Sequence, residues 1–405
     1  MRFLRTALTC YGRAVRWSSA ISGEASLADA ARQCANGIRG DLGDDIDLAV
    51  VFVSEHDRQQ YAELSGHIGA LLSPRRWLGC SAGGVIASAE EIEQRPGLAV
   101  AAARLPGAEI SIAYLPPSAG STEAPSDSAW RKRLGVAGAR PSGVVLLADP
   151  FSFEAEACVH QLDLAFPQTH KAGGLASGGR QPGSNAVFAD GQLYAHGAVA
   201  LALAGDVAVD TVVAQGCRPV GNPMFVTRCE RNVMYELDGR RPSEALAELY
   251  EASGPRDKKL FEHSLFVGIA MRPAQQEYRQ GDFLIRNIAA VDPKSGALAI
   301  GALLERHMIV QFHLRDAETS RADLTAMLTR YQAETPQSPR GALLFSCLGR
   351  GQSLYGTPGH DSDLFRDILG PVPLGGFFCN GEIGPVQGQT FLHGYTSSFA
   401  LFREK

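Results

Sequence analysis

The residues best equipped for chemistry crowd into the last part of the chain: Phe345-Ser-Cys-Leu-Gly-Arg-Gly351, then Leu374-Gly-Gly-Phe-Phe-Cys-Asn-Gly-Glu-Ile-Gly-Pro385, then His393-Gly-Tyr-Thr396. Two apolar runs each end in a thiol and a glycine-bearing turn, and each turn carries one charge, Arg350 or Glu382. Glycine lets backbone approach a guest closely or take positive φ. Arginine grips a carboxylate or phosphate with two parallel bonds, and glutamate takes an ammonium or fixes the arginine. The expected binding set for a small polar ligand is Cys347, Gly349, Arg350, Gly351, Asn380, Gly381 and Glu382. Two readings stay open: both charges face a ligand, or they pair with each other across a structural turn.

Cys347 and Cys379 also invite a nucleophile, with His360 or His393 as the base that a thiolate requires. The alternative is that both are small buried residues at strand ends, as cysteine commonly is. Cys80 beside Ser81 in Leu-Gly-Cys-Ser-Ala-Gly-Gly poses the same choice. The glycine-rich run from Ala172 to Arg180 lacks both the Lys-Ser/Thr of a P-loop and a fitting dinucleotide fingerprint. Ten scattered histidines with no H-x-x-x-H spacing and no paired cysteines call for no metal and no cofactor. Gly216-Cys-Arg-Pro-Val-Gly-Asn-Pro223, with two prolines and two glycines, reads as a rigid turn that delivers Arg218 to a fixed place. Asn380-Gly381 is in addition a strong hairpin signal, able to reverse the chain into Glu382–Val386.

Those residues need a scaffold, and the hydrophobic periodicity supplies one pattern three times: strand, helix, then a short strand closing on small residues. The copies run from Asp47–Ser54 to Leu78–Gly84, from Gly143–Ala148 to Gly173–Gly179, and from Gly341–Cys347 to Gly375–Gly381. Apolar spacing places helices at Tyr61–Leu72, Phe153–Phe166 and Leu364–Leu369, so each copy has the length of a βαβ unit. In such a unit both strands are parallel and ligands gather outside their carboxyl ends, which brings the Arg350 and Glu382 turns to one edge. Between the copies lie strand-like runs such as Gly97–Arg104, Ala108–Leu115 and Met308–Leu314, with hairpin turns at Asp190-Gly191 and Asp238-Gly239. Further helices are expected at Ser26–Asn36, where Ser26 and Asp29 resemble a capping box, at Pro242–Ala252 with proline in the first turn, and at Ala317–Ala333. The fold class is therefore α/β, with two layered domains of mixed sheets built from repeated βαβ-like units and hairpins. A boundary between Gly216 and Arg240 divides the chain into domains 1–230 and 231–405.

Composition narrows the function. With 405 residues, 45% of them hydrophobic, there is ample core for two domains, and a net charge of −5 excludes the basic field that nucleic acid demands. Eight cysteines without a C-x-x-C pair fit reduced thiols and a cytoplasmic location. No run approaches the roughly 20 apolar residues of a membrane-spanning helix. The first sixteen residues carry four arginines and no acid, superficially like a transit peptide, although ordinary residues before a first element look the same.

On these residues the chain resembles the FIST family, sensory proteins made of an N-terminal and a C-terminal FIST domain. The N-terminal likeness rests on the Leu78–Ile86 glycine turn, on Gly173-Gly174, and on Gly216–Gly221 leading to Val226-Thr227 and Tyr235–Gly239; the C-terminal likeness rests on Phe345–Gly351, Leu374–Pro385 and His393–Thr396. The resemblance implies a FIST N-type domain over 1–230 and a FIST C-type domain over 231–405. It also implies an intracellular module that binds small molecules such as amino acids, of the stand-alone type, working with a signalling partner. Gly84 stands where many relatives carry a glutamate, as Glu382 does in the last copy, which favours the C-terminal pocket. Cys80, Ser81, Arg218, Cys379 and His393 are secondary candidates for the site. The alternative function is a thiol-dependent enzyme using Cys347 or Cys379; a third is an interaction scaffold.

Overall fold

One succession of elements recurs three times: outer strand, helix, strand, helix, strand, hairpin, return strand. A computed structural model describes residues 14–54, 56, 58–88, 90–120, 126–136, 138, 140–272 and 275–405, so most of the arginine-rich opening segment lies outside the described residues. The first copy is β1 (Arg16–Ser22), α1 (Leu27–Leu42), β2 (Leu48–Ser54), α2 (Arg58–Leu71), β3 (Arg76–Ala82), the hairpin β4 (Gly84–Ala87) and β5 (Glu90–Glu93), and β6 (Gly97–Arg104). Ser26 caps α1 by accepting from the Asp29 amide, as its spacing predicts. The second copy is β7 (Ala108–Leu115), α3 (Asp127–Leu134), β8 (Gly143–Ala148), α4 (Ala155–Ala165), β9 (His170–Leu175), the hairpin β10 (Val187–Ala189) and β11 (Gln192–Tyr194), and β12 (Ala198–Gly205). Asp190 and Gly191, both at positive φ, make the expected two-residue turn.

The third copy opens with β13 (Val207–Ala214) and is interrupted in sequence by β14 (Cys217–Glu230), β15 (Val233–Leu237), α5 (Pro242–Ala252), α6 (Pro255–His263), β16 (Leu265–Ala270), β17 (Phe283–Val291), β18 (Leu298–Ile300) and β19 (Ile309–Arg315). It resumes with α7 (Ala317–Glu334), β20 (Gly341–Cys347), the short α8 (Gln352–Tyr355), α9 (His360–Leu369), β21 (Leu374–Cys379), the hairpin β22 (Glu382–Val386) and β23 (Gln389–His393), and β24 (Ser397–Glu404). By packing, the chain divides into two compact units. The first holds the described residues up to Val213 with Thr325–Leu392 and Thr396–Lys405; the second holds Ala214–Leu324 with His393–Tyr395.

In the first unit each copy centres one six-stranded sheet: β1-β6-β2-β3-β10-β11, β7-β12-β8-β9-β22-β23 and β13-β24-β20-β21-β4-β5. The middle pairs β2 with β3, β8 with β9 and β20 with β21 are parallel, and the remaining pairings with these strands are antiparallel. The hairpins are exchanged in a ring. Copy one lends β4–β5 to β21, copy two lends β10–β11 to β3, and copy three lends β22–β23 to β9. The three copies also agree residue by residue. A Cβ added to Gly79 would meet Val51 O at 2.0 Å, one on Gly173 would meet Leu146 O at 1.9 Å, and one on Gly376 would meet Leu344 O at 2.1 Å. Each glycine therefore lets one parallel strand press against the carbonyl of its neighbour, where no other side chain fits. A shared core that includes Phe52, Leu78, Leu147, Leu201, Phe345 and Phe377 fills one side of the sheets. Further cores under α1 and α2, and under α3 and α4, cover other faces, which is why the central strands read as unbroken apolar runs.

The second unit is a closed barrel in the order β14-β15-β18-β17-β16-β19, around Val226, Met234, Leu237, Leu298, Val310 and Phe312. Pro242 stands in the first turn of α5, as proline's fixed φ suits. The 216–223 segment corrects the sequence expectation: from Cys217 it is the beginning of a long strand rather than a turn. Its pairing with β19 slips between Val220 and Met224, and that irregularity accommodates Gly221 and Pro223. Among the described residues no helix is long and apolar enough to cross a membrane.

Candidate functional site

β20 and β21 run in parallel register, with Cys347 opposite Cys379, so the turns that follow them leave from one sheet edge. Leu348 N–H donates to Cys379 O at 3.1 Å and ties the two turns together at their origin. Arg350 then turns inward and is fully buried. Its Nε and Nη2 donate to the two carboxylate oxygens of Asp361 at 2.7 and 3.0 Å, and Nη2 also donates to Tyr355 Oη at 2.6 Å. Among the described residues, Nη1 is buried without a hydrogen-bond partner. The carboxylate partner of Arg350 is thus Asp361, not Glu382.

Asp361 lies in the first turn of α9 on the same stripe as Phe365 and Leu369, all three buried. Ser397 Oγ and Ser346 Oγ donate to it at 2.7 and 3.2 Å, and His360 Nδ1 lies 3.2 Å from its other oxygen. Burial works against its charge, yet Arg350 and these hydrogen bonds hold its carboxyl well below the usual carboxylate range. Burial likewise opposes the charge on Arg350, and Asp361 more than restores it. The Tyr355 ring stacks on the His360 ring with centroids 3.5 Å apart, forming a roof between Gly356 and Gly359, both in the left-handed region.

Two glutamates of β5 clamp this loop from below. Glu91 accepts from the amides of Gly359 and Ser362 at 3.2 and 3.1 Å, capping α9 from a distant part of the chain, and Glu93 accepts from Gln352 N at 2.8 Å. Burial first, then the neighbouring Asp361, raises Glu91 from 4.5 to about 7. The folded chain therefore keeps this proton over a range in which the unfolded chain has released it, and stability falls as pH rises from about 4.5 to about 7 before levelling. Asp361, held low, contributes its full stabilisation throughout that window. The expected decline is roughly 1–3 kcal/mol, measured by urea denaturation at stepped pH. Glu91→Gln should flatten the slope; a variant that keeps it would show that another group titrates there.

Glu382, also fully buried, accepts from Thr396 N at 3.0 Å and lies 3.5 Å from Cys379 Sγ. Burial, with Glu382 next, pushes the Cys379 thiol well up, so it does not offer a ready thiolate. Asn380 is exposed; its N–H donates to Leu175 O and its Nδ2 to Ala176 O. The expected Asn380-Gly381 hairpin does not form, because β21 and β22 belong to different sheets and the dipeptide passes the chain from one to the other along the end of β9. Around Cys347, which is partly exposed, Gly349 N–H donates to its sulfur at 3.4 Å, and Gly351 at φ +62 fits against the Glu93 carboxylate.

The secondary candidates disperse. Cys80 is fully buried opposite Val187, its thiol pushed well up by burial. Ser81 Oγ accepts from Ala186 N at 3.0 Å, within a seam where Ser177 Oγ accepts from Gly83 N and donates to Phe378 O. Both residues join copies of the repeat. By register Glu382 corresponds to Val85 and Val187, so the first-copy counterpart is Val85 rather than Gly84, one residue away and equally without charge. Arg218 belongs to the barrel unit, shared between Asp257 and Asp316. His393 is buried at the end of β23, before Tyr395, which takes φ +66. Sequence reasoning missed Glu91, Glu93, Tyr355 and Asp361, and weighed His360 only as a base. An acid on the apolar stripe of α9 was the available signal, since a buried charge demands a partner.

The FIST N domain matches residues 47–240 and the FIST C domain residues 243–385. The chain belongs to the FIST family. An uncharacterised protein of Mycobacterium tuberculosis is 37% identical over 361 residues, covering 88% of this chain and 91% of that protein. An uncharacterised protein of Mycobacterium bovis is 33% identical over 380 residues, 92% of this chain and 96% of its own length. Human F-box only protein 22 is 33% identical over 102 residues, 21% of this FIST chain and 25% of that protein. A solved cyanuric acid hydrolase from A. caulinodans aligns with 96% of this chain and 99% of its own at a TM-score of 0.37 and 8% identity, a likeness too low to carry an argument. FIST domains are associated with sensory signalling.

Proposed function

We propose that this chain is a cytoplasmic small-ligand-binding sensor. Its ligand is an amino acid or similar metabolite taken at the β20–β21 edge by Cys347, Gly349, Arg350, Gly351, Asn380, Gly381 and Glu382, and its signal passes to a protein partner. FIST membership supports the sensory reading. The observation that carries the site is Arg350 Nη1, a buried donor without an acceptor among the described residues, whose unmade bond a ligand carboxylate or carbonyl would complete. Asp361 already balances the guanidinium charge, so the site favours a zwitterion over a multiply charged anion, with Glu382 available to an ammonium group. Entry displaces the Tyr355–His360 roof, which Gly356 and Gly359 allow to swing, and that displacement is the signal.

The test is calorimetry with a panel of free amino acids on wild type and on the paired variant Arg350→Met/Asp361→Leu. Removing both charges for apolar groups of similar volume preserves folding better than removing one. At least one amino acid should bind wild type, and the variant should bind it at least about tenfold more weakly, a loss of roughly 1.4 kcal/mol. Equal affinity for every binder in a folded variant rules out the guanidinium as a ligand contact.

A further inference from the structure

We propose that Cys347 and Cys379 form a peroxide-oxidisable thiol pair that closes to an intramolecular disulfide, with Glu382 as the proton acceptor for the second thiol. The inference is independent of the ligand reading. The two cysteines are register partners on adjacent parallel strands, so their side chains project to the same face. Neighbouring strands lie about 4.8 Å apart, inside the roughly 4.4–6.8 Å range of Cα separations that a disulfide spans. Neither cysteine is in a disulfide, and among the described residues no other two cysteines are register partners.

The pair is chemically asymmetric. Cys347 is partly exposed at the strand end, and Gly349 N–H is placed to stabilise negative charge on its sulfur. Cys379 is sealed in, its sulfur 3.3 Å from Ser346 O and 3.5 Å from Glu382 Oε1. The Cys347 thiol ionises to solvent and its thiolate attacks a hydroperoxide, forming an S–O bond and breaking the O–O bond; the leaving alkoxide or hydroxide takes a proton back from solvent to become alcohol or water, and sulfenic acid remains. The Cys379 thiol then gives its proton to Glu382, and its sulfur attacks Cys347 Sγ. An S–S bond forms, the S–O bond breaks, and hydroxide leaves as water with the proton from Glu382. Two thiols lose two electrons and the hydroperoxide gains them. A bridge between register partners is constrained, which makes it readily reduced again by a thiol. Among the described residues, Cys80, facing Val187, and Cys229, facing Met234, have no such resolving partner.

The experiment treats the full chain with hydrogen peroxide at neutral pH, then denatures, alkylates and maps peptides by mass spectrometry with and without reduction. The expected product links the Cys347 and Cys379 peptides, resists alkylation at both, and returns to two alkylated thiols after dithiothreitol. In Cys379→Ala, dimedone should trap a sulfenic acid on Cys347. In Glu382→Gln, bridging should slow by on the order of 100-fold while the trapped sulfenate accumulates. The inference fails if wild-type Cys347 oxidises to sulfinic acid while Cys379 remains alkylatable, or if partly exposed Cys229 oxidises and Cys347 does not. The wild-type map alone decides should the Cys379 or Glu382 variants not fold.

Discussion

Asp361→Ala is expected to lower stability by about 3–5 kcal/mol, the largest single-site loss in the site. The substitution leaves the guanidinium of Arg350 without its two carboxylate bonds at a fully buried position. It also strips Ser346 and Ser397 of an acceptor. Chemical denaturation at neutral pH measures the effect, and the paired variant Arg350→Met/Asp361→Leu should recover most of it. A loss below about 1 kcal/mol for the single variant would mean that Arg350 is hydrated rather than sealed.

Gly376→Ala should cost more than about 3 kcal/mol, and Gly79→Ala and Gly173→Ala should behave alike. At each position the new methyl carbon would lie about 2 Å from a backbone carbonyl oxygen of the paired strand. Both strands are interior to a sheet and pinned on their other sides, so neither can withdraw. Gly66→Ala in α2 is the control, since among the described residues nothing beyond its own stretch of helix lies within 4 Å of the added carbon; helix propensity alone should stabilise it by about 1 kcal/mol. Melting curves on the four variants check the contrast. A mild effect at Gly376 would break the residue-level correspondence among the three copies.

Much of this scaffold was legible because its central strands are buried on both faces and bounded by glycine. Gly97–Arg104, Gly143–Ala148 and Gly341–Cys347 are strands with the ends their sequences suggest, and so is the half-exposed edge strand Ala108–Leu115. Proline misled at 216–223, because a slip in strand pairing tolerates residues that usually mark turns. Asn380-Gly381 misled for a different reason: a two-residue link can hand a strand to another sheet as well as fold it back, and only long-range pairing decides which. At the site, the meeting of the Cys347 and Cys379 strand ends followed from parallel pairing. The partners of Arg350 did not, because Glu91 and Glu93 arrive from a hairpin lent by another copy, hundreds of positions upstream; the Glu91–Gly359 bond spans 268 residues. Local pattern carries no information about such a loan. Asp361 was within reach, had α9 been begun at His360 rather than Leu364.

The ring of exchanged hairpins has a consequence for biosynthesis. When the first copy leaves the ribosome, β3 has no neighbour on its free side, and the residues that finish that sheet come much later; the Ala186–Ser81 bond alone joins positions 105 apart. The hairpin β4–β5 meanwhile waits for β21, near the end of translation. A nascent chain therefore carries an open strand flank and an unplaced ribbon at the same time, the condition most prone to pairing with a stranger. High contact order slows the closing step further. Expression yield should consequently respond to chaperone supply more than to temperature-tuned stability, and truncation before β21 should give aggregates rather than a smaller folded body.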